Sequence, residues 1–241
     1  WSAADYLEKL YTAFRLSKMY RDMVSRKTRC LVVTYAGDFS LDVVPCVVNR
    51  GRLVRKEICN RHEDMFELTD GQGYATWWEK QCALASGRNL KKVTRLLKYL
   101  RDIKLTFSAK SILLTTLIGE QVNAIDVPHG NLDDVPATLK IIVNRLDDYL
   151  QDCPKMPDVR NPALSSENFT RHWDTQKYEN FRDKIHTYRS WIDDAYAEPD
   201  RDESIEKWRR IFGEDFAAET LKEEARSIRD RLLIPGMAQP L

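Results

Sequence analysis

Apolar residues recur at two different periods along this chain, and the change of period divides it. Ala3, Leu7, Leu10 and Phe14 return at intervals of three and four, which predicts a helix over residues 2–25 with Ser2 as its cap. The period then shortens. Cys30, Val32 and Thr34 alternate with Leu31, Val33 and Tyr35, and a second alternating run follows a Gly37-Asp38 turn and covers residues 40–48. Two such runs across a short glycine-containing turn predict an antiparallel hairpin. Weaker strand signals fall at residues 53–58 and 65–68. Asp70, Gly71, Gln72 and Gly73 form the sharpest break in the chain, and the expected domain change lies there.

Beyond that break the pattern is helical. Leu90, Val93, Leu97 and Leu100 make one stripe over residues 89–102, and further helices are expected over 108–125 and 134–151, the latter with Pro136 in its first turn, where proline is tolerated. Tyr178, Phe181, Ile185, Tyr188, Ile192 and Ala195 step by 3, 4, 3, 4 and 3 through residues 175–197. Asp202 is placed to cap a last pair of helices through Trp208 and on to Leu233. Glycine and proline number 9 each in 241 residues, well under the usual share of about 12%, which also favours long helices. The fold class is α+β: a small β element over residues 1–75, then a mostly helical lobe over 76–241, without the alternation of a βαβ fold. No internal repeat or low-complexity segment interrupts it.

Composition narrows the function. With 38 Lys and Arg against 37 Asp and Glu, the formal charge is +1, which excludes a globally basic nucleic-acid coat protein. Hydrophobic residues at 43% and charged residues at 31% are ordinary for a globular chain. The longest apolar stretch, residues 111–119, is less than half a bilayer span, and the first residues lack the features of a signal peptide. Five cysteines without a Cys-x-x-Cys argue against a disulfide framework. A cytoplasmic location is therefore expected, with no membrane partner. Cys59 and His62 offer half a zinc spacing without a second pair and are read as structural. His129, His172 and His186 are isolated. Trp77, Trp78, Trp173, Trp191 and Trp208 are expected on helix faces as core. The adjacent pairs Asp133-Asp134, Asp147-Asp148 and Asp193-Asp194 point about 100° apart on a helix and are read as solvated faces.

Asp42 stands out chemically. It sits in Leu41-Asp42-Val43-Val44-Pro45, and on one continuous strand it would share a face with Val44 and Cys46. A carboxylate on so apolar a face must be paired, hydrogen-bonded or metal-bound, because burying it alone costs several kcal/mol. The residue pattern alone weighs equally for a structural cap at a strand end.

Asp42 in this setting, the lysine-bearing helix from Val93 to Asp102, and Lys110-Ser111 together resemble the cGAS/DncV-like nucleotidyltransferases. That family is grouped with the oligoadenylate synthases inside the polymerase-β-type superfamily. Asn161-Pro162-Ala163, Glu167-Asn168-Phe169-Thr170 with Trp173, and the run from Ile205 to Phe216 resemble its bacterial branch. The resemblance implies a partial polymerase-β-type palm followed by a helical lobe closing a nucleotide cleft. It further implies Mg2+-dependent joining of nucleoside triphosphates into cyclic or short linear oligonucleotide messengers, with Mn2+ as an alternative metal. The product would act on a separate effector protein in antiphage defence. A nucleic-acid activator is left open, as are base choice and linkage. By resemblance Asp42 is the third metal-binding carboxylate, and Lys98 and Ser111 contact the donor triphosphate. Periodicity alone reads Lys98 as a solvated lysine off the leucine stripe. With Ser108 as cap, Ser111 falls in a helix first turn, where free N–H groups suit phosphate. Lys110 is read as a surface charge, and Tyr74 as a turn-flanking aromatic.

The chain also departs from that pattern. The family carries Gly-Ser and then Asp-x-Asp upstream of the third carboxylate, whereas these 241 residues contain no Gly-Ser, and their single Asp-x-Asp is Asp200-Arg201-Asp202. The expectation is that the N-terminal part of the palm lies outside this chain and that the chain alone makes no product. The rival expectation is a non-catalytic scaffold that binds nucleotide or a partner protein.

Overall fold

The computed structural model describes residues 1–35, 39–50, 54–85, 87–126, 130 and 132–217. The Gly37-Asp38 turn, Leu53, His129 and the expected helix toward Leu233 fall outside them. Helix α1 spans Ala3–Leu16. Ser2 caps it as expected: the Ser2 hydroxyl accepts from the Asp5 N–H at 3.2 Å, and Asp5 accepts from the Ser2 N–H at 3.1 Å. This reciprocal box satisfies two backbone donors at once. The helix stops short of the expected residue 25, because Val24 and its neighbours turn into a strand.

That strand is β1 (Val24–Arg26), and it pairs antiparallel with β2 (Leu31–Thr34), which pairs with β3 (Ser40–Val43). A second antiparallel sheet runs β4 (Cys46–Arg50), β5 (Val54–Asn60), β6 (Met65–Leu68). Helix α1 packs on both sheets. Ala3 and Leu7 meet Cys59, while Leu10, Tyr11 and Phe14 lie against Val24, Leu31 and Val33. The single expected strand over residues 40–48 is thus two strands in two sheets. Pro45 lies between them, and proline has no N–H for a ladder.

Helix α2 (Gly71–Leu84) begins at the expected break, its start held by the Asp70 carboxylate on the Gly73 N–H at 3.0 Å. A Cβ on Gly73 would come within 2.7 Å of the Ala163 Cβ and 2.3 Å of Asp70 Oδ2, so this position requires glycine. Helices α3 (Asn89–Lys104), α4 (Ser111–Gly119) and α5 (Val135–Asp152) follow, then the hairpin β7 (Arg160–Asn161) and β8 (Leu164–Asn168), α6 (Thr175–Ala197) and α7 (Arg201–Phe212). Two of the expected starts move. Helix α4 begins at Ser111 rather than Ser108, whose carbonyl instead accepts from Trp173 Nε1 at 3.2 Å. Trp173 itself precedes α6 rather than lying on a helix. Asp200, not Asp202, caps α7, accepting from the N–H groups of Asp202 and Glu203 at 3.0 and 2.9 Å. Asp134 and Asp174 cap α5 and α6.

Two compact units result: residues 1–77 with 160–168, and residues 78–159 with 169–241. The second has one continuous core in which α3, α4, α5, α6 and α7 all take part. All four leucine-stripe positions of α3 and all six periodic positions of α6 are buried there. Helix α4 is buried from Leu113 to Gly119, which explains its apolar character all round. No described helix is long and apolar enough to cross a membrane.

Candidate functional site

In the second unit, the expected lysine and serine are drawn toward one cationic side chain. Lys98 lies on α3 one turn before Arg101, so the two share a helix face. Helix α3 packs against α4. Arg101 Nη1 donates to the Ala109 carbonyl at 2.7 Å and to the Ser111 hydroxyl at 3.2 Å, holding the serine at the first residue of α4. Lys110 takes the N-cap position without a side-chain cap bond of its own.

Lys98 is half-buried, contrary to the solvated lysine its periodicity suggests. Burial and then the Arg101 charge hold its ammonium below the usual lysine range. Among the described residues no hydrogen bond or ion pair reaches it. A desolvated, unpaired ammonium close to a guanidinium attracts an anion, since both charges favour a negative partner. Arg101, a neighbour of Lys98 off the leucine stripe, is the residue to which the sequence assigned no role. Its position three residues after Lys98 on the same face was the available signal. Asp102, close by, is held below the usual carboxylate range by its hydrogen bonds from Arg101.

Asp42 belongs to the other unit. It pairs in register with Val32, on the face of its sheet away from the contacts of Leu31, Val33 and Val43 with α1. The expected apolar burial does not hold: the Asp42 side chain is 53% exposed, with Lys27 Nζ 3.5 Å away. The reason is topological. Strand β3 is at the edge of its sheet, it ends at Val43, and Cys46 belongs to a different sheet. Both charges are more exposed than buried, so the Lys27 pair contributes little and leaves the carboxylate available. A half-exposed carboxylate oxygen on a strand is a suitable donor for a hard cation such as Mg2+, but it is one donor. Among the described residues no group of three or more His, Cys, Asp or Glu could hold a metal ion.

Cys59 is buried beneath α1, consistent with a structural role. Tyr74 packs on Trp77 at 5.4 Å. Trp78, Trp191 and Trp208 pack at the border of the large core. Asp147 corrects the reading of solvated acid pairs: its side chain is fully buried and accepts from Gln151 Nε2 at 2.9 Å, His186 Nδ1 at 2.9 Å and Arg189 Nη1 at 3.1 Å.

Residues 1–81 match the Second Messenger Oligonucleotide or Dinucleotide Synthetase domain. Over 245 aligned positions the chain is 23% identical to a c-di-GMP synthase of Roseivirga ehrenbergii, covering 89% of this chain and 63% of that relative. Among solved structures, CdnC of Escherichia coli MS115-1, determined with ATP, superposes with a TM-score of 0.67 at 18% identity, covering 88% of this chain and 72% of that one. The CD-NTase CdnG of Bradyrhizobium diazoefficiens, in complex with GTP, gives 0.68 at 18% identity, covering 90% and 72%. A variant of DncV, the di-nucleotide cyclase of Vibrio cholerae, gives 0.62 at 17%, covering 82% and 55%. The fold is that of a cGAS/DncV-like nucleotidyltransferase. The α+β architecture expected from the sequence is the architecture of these CD-NTase structures, and the chain spans 63% of the length of the curated synthase it matches.

Proposed function

We propose that this CD-NTase-like chain is part of a nucleotidyltransferase that joins nucleoside triphosphates into a cyclic or short linear oligonucleotide messenger. The observation carrying the proposal is that Arg101, on one face of α3 with Lys98, holds Ser111 at the N-terminus of α4. Lys98 supplies the charge for the donor triphosphate, Ser111 a hydroxyl donor, and the helix start the positive end of its dipole, a combination suited to phosphate. Arg101 is a positioning residue that holds Ser111. Asp42 would supply one ligand to Mg2+ or Mn2+. When bound, that metal lowers the pKa of the attacking sugar hydroxyl and neutralises the triphosphate. The carboxylate of Asp42, half in solvent on a strand, is also able to accept the hydroxyl proton. The reading extends to a cytoplasmic enzyme of antiphage defence whose product acts on a separate effector protein.

Equilibrium binding tests the donor site. In the presence of Mg2+, ATP or GTP is expected to bind the chain, Lys98→Ala to weaken binding by about tenfold or more, and Ser111→Ala by about fivefold. Undiminished affinity in both variants would refute the assignment. In a form of the enzyme that supplies all three carboxylates, Asp42→Asn is expected to abolish product while keeping the fold, and turnover by that variant would remove Asp42 from the reaction. The 241 residues alone are expected to make no product, because no Gly-Ser or Asp-x-Asp precedes Asp42 within them. That same observation favours a second reading, a scaffold that binds nucleotide without transferring it. Mg2+-dependent binding without turnover in the three-carboxylate form would select the scaffold.

A further inference from the structure

The six residues between α3 and α4, Leu105 to Lys110, are held from outside the loop they form. Three of their carbonyls accept from side chains: Thr106 from Asn180 Nδ2 at 2.7 Å, Ser108 from Trp173 Nε1 at 3.2 Å, and Ala109 from Arg101 Nη1 at 2.7 Å. The Thr106 and Tyr188 hydroxyls share a further hydrogen bond of 2.7 Å. Phe107 is buried against two rings of α6, 5.3 Å from Phe181 and 6.3 Å from Tyr188. Asn180 and Tyr188 stand 74 and 82 residues after Thr106 in the chain, so this hold is a product of the tertiary fold.

The loop needs such a hold. It leaves α3 through Leu105 in the left-handed region, at φ 53°, with the leucine 83% exposed. Leucine disfavours that backbone conformation and gains almost no burial there, so the surroundings must impose the geometry. Arg101 holds Ala109 and Ser111 from α3, while α6 holds Thr106 and Phe107 at the other end of the loop. Ser111 follows directly, and a binding group is effective only when its supports fix it to within about 0.5 Å.

We propose that Asn180 and Tyr188 are positioning residues for the donor triphosphate: by fixing the α3–α4 loop they set where the Ser111 hydroxyl stands. The proposal rests on the donor-site reading of Ser111 and extends that site to α6. Both polar groups can be removed with the packing kept. Tyr188→Phe retains the ring against Phe107 and against Trp191, 5.5 Å away, and Asn180 is exposed.

A mutant cycle in ATP binding with Mg2+, read by titration calorimetry on the 241-residue chain, tests this. Asn180→Ala with Tyr188→Phe is expected to weaken ATP binding by about threefold or more, and Ser111→Ala by about fivefold. With all three changes the loss should stay near that of Ser111→Ala alone, because supports that act through Ser111 then have nothing left to position. Leu146→Ala, in the core of α5, is the stability control: it should lower the melting temperature further than the α6 changes do and keep ATP affinity within about 1.5-fold. The role of α6 is overturned, with the donor site intact, if Ser111→Ala weakens binding while the α6 variant binds as the parent does, or if the two losses multiply in full. Equal loss of affinity in Leu146→Ala also overturns it, since affinity would then only follow stability. If the parent binds no ATP, or Ser111→Ala binds it undiminished, the donor-site reading itself fails and the role of α6 fails with it.

Discussion

Removing the Asp147 carboxylate would strip Gln151, His186 and Arg189 of a shared acceptor. Burial pushes the Asp147 carboxyl up, but the hydrogen bonds from Gln151, His186 and Arg189 outweigh it and leave the group below its ordinary value. A broken buried pair costs about 3–5 kcal/mol, so Asp147→Ala is expected to lose stability of that order in urea unfolding at pH 7. A loss under about 1 kcal/mol would show that the network is not stabilising. Because the folded value lies below the unfolded one of about 3.9, the contribution is full above that pH and disappears as pH falls through the folded value. The gap between parent and Asp147→Asn should therefore be constant near neutrality and close in acid below about pH 4. Lys98 presents the opposite case. Its ammonium is held below the usual range by burial and by Arg101, so charging it costs the folded state. Lys98→Met should raise the unfolding midpoint at pH 7 while weakening Mg2+-dependent ATP binding by about tenfold or more. A variant that is both less stable and still able to bind would contradict the anion-site assignment.

Local signals at the level of elements explain what was legible and what was not. The six periodic positions of α6 and its bounds, residues 175–197, were readable because a 3.6-residue period over so long a stretch has no strand alternative. The weaker strand signal over residues 65–68 coincides with β6. The β3–β4 run was misread because periodicity cannot show which sheet a strand joins, and one proline moved Asp42 from an assumed apolar face to an open edge. The Asp147 signal was present and unused: four residues after Val143 and three before Leu150, it lies on the buried stripe of α5. The capping box of α1 was half legible, since Ser2 was identified and its partner Asp5 was not. Ser2→Ala removes one bond of that box and is expected to cost about 1 kcal/mol, read as a lower urea midpoint. No shift would mean that the Asp64 carboxylate, which accepts from the Ala4 N–H at 2.8 Å, suffices to hold the start of α1.

Across the whole molecule, apolar burial is unevenly divided. Among the described residues, the unit of residues 78–159 and 169–241 holds one extensive core, whereas the unit of residues 1–77 and 160–168 has two small clusters, one built on Ala3, Leu7 and Cys59 and the other on Val24, Leu31 and Val33. Separate cores of unequal size favour separate unfolding, the smaller first. Scanning calorimetry is therefore expected to show two transitions. Leu146, fully buried in α5, provides the assignment: Leu146→Ala should lower only the upper transition, by about 2–5 kcal/mol in stability. Lys98 and Ser111 belong to the same unit, so ATP with Mg2+ at ten times its dissociation constant should raise that upper transition by about 1.4 kcal/mol in stability and leave the lower one in place. Should ATP instead shift the lower transition alone, the donor site would have to be moved out of the helical unit. A single transition that responds as a whole to Leu146→Ala would show that the two cores unfold as one, and the smaller unit would then owe its stability to the larger.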